Sequence, residues 1–179
     1  AYQITPTRSA DGRPRVNTEV MYDNMMNKFR YGNVNKPGIY LDENTLRMCR
    51  THRMMFSELA EALYEEGKND KAIAVLDYAE EMLPGYNVSY DYTSASMAAL
   101  YYTLGEMEKG NAIMDQVATN AVEYMEWGTT LEPASRKAAQ STLGHYSAIL
   151  GFVLNNLQRF EQKELFNKYF ELYNQYASI

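Results

Sequence analysis

The chain has 179 residues, 46% of them hydrophobic and 13% aromatic, enough for one domain with a substantial buried core. Its 17 basic and 23 acidic residues leave a net charge of −6, which argues against a nucleic-acid partner, because such binding needs a basic face to displace counterions. With Cys49 the one cysteine, an intrachain disulfide is excluded, and the longest uninterrupted apolar stretch, near 148–154, falls far short of the ~20 residues that span a bilayer.

Residues 1–16 hold Pro6, Gly12 and Pro14 among polar residues and read as an extended lead-in. The start at Ala1 in such a segment is expected for the interior of a longer chain. Asn17 or Thr18 caps a helix reaching about Phe29, on which Met21, Met25 and Phe29 recur every four residues and Tyr22 pairs with Met26. Gly32, Pro37 and Gly38 break the stretch 30–41. Asp42 then caps a long helix to about Glu66, stopped by Gly67 just past its end. Its apolar positions are Leu46, Cys49, Phe56, Leu59, Ala60 and Leu63, so Cys49 reads as a buried structural thiol.

Asp70 opens the next helix, ended by Pro84-Gly85. Further helices are predicted over 90–104, 107–126, 133–156 and 159–177, separated by Gly105, by Gly128-Thr129-Thr130 with Pro133, and by Asn155-Asn156. The expected fold is all-α: about seven helices paired as antiparallel hairpins by short turns. Residues 17–179 form a single helical domain in this reading. Within it 17–41 is an N-terminal helix and loop, 42–86 a clear repeat, 87–127 a second repeat and 128–179 a degenerate hairpin cap.

The repeat carries the fold prediction. With Arg53 as position one of a 34-residue unit, Phe56, Leu59, Ala60, Leu63, Gly67, Ala72, Leu76, Ala79 and Pro84 fall where the tetratricopeptide pattern requires bulky, small, Gly and Pro residues. Small residues let two helices approach, large ones fill the flanks, Gly ends the first helix and Pro stops the second. A second unit from Asp91 supplies Ala98, Tyr101, Gly105, Gly110, Met114 and Val117, with Ser94 in place of a bulky residue and no closing Pro. The chain therefore resembles a short superhelical array of tetratricopeptide-like hairpins. In the last hairpin Gly144 and Gly151 are expected to permit close packing. Phe160, Leu165, Phe166, Tyr169 and Phe170 form an aromatic stripe that either seals the array or presents a partner face.

No catalytic motif emerges. His52 and His145 are far apart and in no metal-ligand spacing, no phosphate-binding glycine loop or nucleophile elbow is present, and Glu65-Glu66 and Glu80-Glu81 read as solvated helix surface. No cofactor, metal or catalytic residue is expected. Arg47, Arg50 and Arg53, spaced three apart, read as a surface flank making salt bridges rather than an anion site. Asn87-Val88-Ser89 is formally a glycosylation sequon. In tetratricopeptide arrays the first helices of the repeats line a concave groove, which places Met54, Ser57, Glu61 and Tyr64, then Tyr92, Ala95, Ala99 and Tyr102, at a candidate partner-binding surface. The alternative is that the chain's own N-terminal helix or the 84–91 loop fills that groove.

The segments NTEVMYDNMMNKFRYGN (17–33) and IYLDENTLRMCRTHR (39–53), followed by the repeat, resemble the C-terminal soluble region of bacterial multi-pass membrane proteins related to protein O-mannosyltransferases. The resemblance covers about residues 1–125. It implies a parent membrane glycosyltransferase using a lipid-linked sugar, with this region at the periplasmic face of the inner membrane and the catalytic acids elsewhere. The function expected is a non-catalytic interaction module binding acceptor or partner proteins, the parent's own membrane region among them. The alternative is a structural domain packed on the parent's extramembrane loops.

Overall fold

A computed structural model describes residues 16–176; the lead-in expected over 1–16 lies, but for Val16, outside the described residues. These form helices joined by loops and turns, without strands, in the order α1 (Thr18–Tyr22) followed by a π-helical turn (Asp23–Lys28), α2 (Glu43–Glu65), α3 (Asn69–Met82), α4 (Tyr92–Thr103), α5 (Met107–Thr130), α6 (Pro133–Arg159) and α7 (Lys163–Tyr176). The all-α hairpin architecture is therefore as expected. The packing divides the chain into two compact units, Ala1–Val88 and Ser89–Ile179.

The first unit is the α2–α3 hairpin with the N-terminal helix on α2. Asn17 caps α1 through its side-chain oxygen, and Thr18 is buried, its hydroxyl donating to Glu66 Oε2 at 2.8 Å. The α-helix expected to reach Phe29 instead widens to π winding, and the Phe29 N–H donates to Asn24 O five residues back. That extra residue per turn breaks the expected four-residue face: Met25 is buried while Phe29 is exposed. On α2, Cys49, Arg53, Phe56, Leu59, Ala60 and Leu63 are buried, as are Ala72, Val75, Leu76 and Ala79 on α3. The alanines leave room for the second helix, and each large apolar side chain contributes about 1.5–3 kcal/mol by leaving water.

Arg53 corrects the reading of a surface arginine flank. It is 1% exposed, and its Nη2 donates to Leu83 O at 2.8 Å and Val88 O at 2.7 Å. The guanidinium thus ties α2 to the segment that leaves α3, satisfying a carbonyl left open at the helix end. That segment is also tied to the 30–41 loop: Tyr86 Oη donates to Asn35 O at 2.6 Å, and Asn87 Nδ2 donates to Val34 O and Lys36 O at 2.6 and 2.7 Å. The sequon asparagine is therefore committed to loop carbonyls.

The second unit contains α4–α7, with α5 packed against each of the other three. Asp91 and Ser94 form a reciprocal capping box on α4, which explains the serine where the repeat prefers bulk. Close approach is set by glycines, although not by the pair expected. A Cβ at Gly110 would lie 2.5 Å from Tyr102 Cε1, and one at Gly128 2.6 Å from Leu143 Cδ2, whereas Gly144 and Gly151 have open space. Gly128 does not break the chain as expected: α5 continues through it to Thr130. Asn156 does not break α6 either, because its amide donates to Phe152 O at 2.9 Å inside the helix.

The first helix of each hairpin ends in the same turn. Gly67, Gly105 and Glu161 have φ of 73°, 88° and 58°, and the next N–H reaches back to Leu63 O, Tyr101 O and Leu157 O at 2.9, 2.9 and 2.8 Å. These are Schellman closures, and the third is made by a glutamate in the left-handed region.

Three substitutions are readable by chemical denaturation. Gly110→Ala must displace a buried tyrosine ring and should cost about 1–3 kcal/mol, while Gly144→Ala should gain about 1 kcal/mol from helix propensity alone. Glu161→Gly should stabilise the chain by roughly 1 kcal/mol by removing left-handed strain.

Candidate functional site

The α2 positions of the predicted groove lie on one accessible helix flank. Met54 is 46% and Tyr64 38% exposed, with Glu61 exposed and Ser57 half-buried between them. The opposite flank carries Phe56, Leu59, Ala60 and Leu63 in the core. One rigid helix thus presents a strip of thioether, hydroxyl, carboxylate and phenol to solvent.

The α4 positions do not repeat this strip. Ala95 is 0% and Tyr102 1% exposed, so neither can contact a partner. The physical reason is visible for Tyr102: its hydroxyl donates to Asn111 Oδ1 at 2.7 Å, its ring meets Phe160 at 5.0 Å, and Gly110 leaves space for it. Tyr92 is half exposed with its ring 4.6 Å from Phe152, and Ala99 is half-buried. Aromatic residues of α6 and the α6–α7 turn pack against the tyrosines of this face.

Tyr169 Oη lies 2.6 Å from Asp115 Oδ1 and 2.9 Å from Thr119 Oγ1, and Lys168 Nζ lies 2.7 Å from the same Asp115 oxygen. Burial pushes the Tyr169 phenol up, aided by Asp115, so it keeps its proton. Burial also opposes ionisation of Asp115, but the hydrogen bonds from Lys168 and Tyr169 outweigh it and hold the carboxyl below its usual value. Lys168 is held above the usual lysine range by Asp115 and Tyr169. Both proton donors therefore retain their protons, and the group acts as a strut between α5 and α7. Cys49 is buried, and desolvation raises its thiol despite the opposing pull of Arg53. His52 is held edge-on by Phe29 and Tyr31, while Tyr31 donates to Met25 O at 3.0 Å and is pushed up to about 12 by burial. Among the described residues no three His, Cys, Asp or Glu side chains are placed to hold a metal ion.

Sequence reasoning missed a cleft of about 470 Å³ in the second unit, floored by Met125, Leu143 and Tyr176 and rimmed by Arg136, Lys137 and Gln140. Arg136 Nε donates to Gly128 O at 3.1 Å and its Nη2 to Thr129 O at 3.0 Å and Leu131 O at 3.3 Å, capping the end of α5. The available signal was charge: α6 spans 27 residues without a carboxylate, in an acidic chain.

No family model, curated protein or solved structure matches the chain. Among the described residues no helix is long and apolar enough to cross a membrane.

The strut has a pH signature. A lowered Asp115 pKa stabilises the fold above the unfolded carboxyl value near 3.9 and ceases to do so as pH falls through the folded value. Asp115→Asn should lower the thermal midpoint at neutral pH, and the gap to the unsubstituted chain should close as pH falls through the lowered folded value. An equal gap on both sides of that value would assign the loss to packing instead.

Proposed function

We propose that the chain is a partner-binding helical-hairpin module of the tetratricopeptide type. The observation that carries this reading is the strip Met54, Glu61 and Tyr64, exposed around a half-buried Ser57 along a helix whose other flank is locked in the core. A peptide laid along it would set apolar side chains against the thioether and ring, with a donor toward Glu61. Large side chains on a rigid frame lose little conformational entropy on binding. The tetratricopeptide assignment rests on the nine matching positions, with Ala60, Ala72 and Ala79 in buried helix contact.

Its setting, in this proposal, is the periplasmic C-terminal region of a membrane glycosyltransferase related to protein O-mannosyltransferases. There it holds acceptor or partner proteins near the membrane enzyme and performs no chemistry itself. The support is the likeness of 17–33 and 39–53 to that region.

A photo-crosslinking residue at position 54, 61 or 64 of the full-length parent should trap a separate protein. Met54→Ala with Tyr64→Ala should reduce capture at position 61 at least tenfold, with an unchanged thermal midpoint. Crosslinks only within the parent would favour a domain packed on its own loops. Sugar transfer by the isolated chain would overturn the non-catalytic reading.

A further inference from the structure

The cleft in the second unit arises from a mismatch of helix lengths. At 1.5 Å per residue α6, with 27 residues, is about 40 Å long, and α7, with 14 residues, about 21 Å. Tyr176, the last described residue of α7, lines the cleft together with Gly144 and Ser147 from the middle of α6. The two helices are therefore antiparallel, and α7 as far as Tyr176 covers only the second half of α6. From Pro133 to Leu143, about 16 Å of α6 runs on beside the end of α5 with no third helix over it among the described residues. The floor of this slot is apolar, and its lining holds two cations and no carboxylate. Lys137 is exposed and makes no ion pair among the described residues. Arg136 commits Nε and Nη2 to α5 carbonyls, which fixes its guanidinium at the rim.

We propose that this slot binds an acidic amphipathic peptide segment of about three helical turns, in line with α7. Its aliphatic side chains would seat on Met125, Leu143 and Tyr176, and its carboxylates would face Lys137 and Arg136. The slot's length selects an elongated occupant, and the carboxylate-free α6 selects the charge. A compact organic anion would satisfy the charge and leave most of the slot's length empty. The site is separate from the α2 strip and stands whether or not that strip binds a partner.

The test uses the full 179-residue chain and a labelled 14-residue peptide with leucines at helical spacing and glutamates beside them. A counterpart carries lysines in place of the glutamates. Fluorescence anisotropy should show saturable binding of the acidic peptide, at least tenfold tighter than its lysine counterpart and weakened by added salt. Lys137→Glu should weaken binding at least tenfold. Gly144→Leu should abolish it by filling the cleft from a wall with open space around it, with no loss of thermal midpoint. Met54→Ala with Tyr64→Ala should leave it unchanged, which separates this site from the α2 strip. Equal binding of both peptides, full competition by decanoate, or indifference to Gly144→Leu would overturn the proposal. So would binding that appears only when residues 177–179 are deleted, because the chain's own end would then be the occupant.

Discussion

Helices share a core only where their backbones can come close, and in this chain a few missing side-chain atoms decide where that happens. Ala60, Ala72 and Ala79 do it in the first unit. Gly110 does it in the second, where the Tyr102 ring and Ala98 O occupy the place a Cβ would take. The large residues then become useful as filler. Tyr102 can be buried because Gly110 makes room and Asn111 accepts its hydroxyl hydrogen, so its polar tip is not stranded. Gly128 plays the same part against Leu143, letting the last turn of α5 stay in contact with the first half of α6.

Helix ends in this fold follow a division of labour. The first helix of each hairpin closes on itself through a residue in the left-handed region, at Gly67, Gly105 and Glu161. The ends of α3 and α5 are closed from outside by an arginine. Arg53 reaches from α2 to Leu83 O, and Arg136 from α6 to Gly128, Thr129 and Leu131. A guanidinium is suited to this task because its planar donors can meet several carbonyls and its charge favours the negative end of the helix. Removing a buried partner of this kind leaves carbonyls unsatisfied, a penalty of roughly 1–3 kcal/mol each.

The binding surfaces follow from what is left uncovered. The α2 strip stays open because Met54, Glu61 and Tyr64 point away from the hairpin's core. The matching face of α4 is used up by Phe152 and Phe160 packing onto Tyr92 and Tyr102. The first turns of α6 are open again, beyond the described end of α7. Helix faces in this chain thus become core, strip or slot according to their neighbours.

Local chemistry made much of this legible in the chain. Asn17 and Asp42 announced helix starts, Gly67 and Gly105 announced stops, and the alternation of Ala60, Ala72 and Ala79 with Phe56, Leu59 and Leu76 announced the hairpin, because these effects act within a few residues. Tertiary structure decided the rest. Gly128 and Asn156 looked like breaks and proved helical, since a facing Leu143 and an internal carbonyl make each at home. Arg53 looked like surface and proved buried, because its acceptors lie 30 and 35 residues away. Ala95 and Tyr102 looked like a groove and proved core. A side chain's local pattern limits which face of a helix it occupies, but whether water or another helix meets that face depends on residues far along the chain.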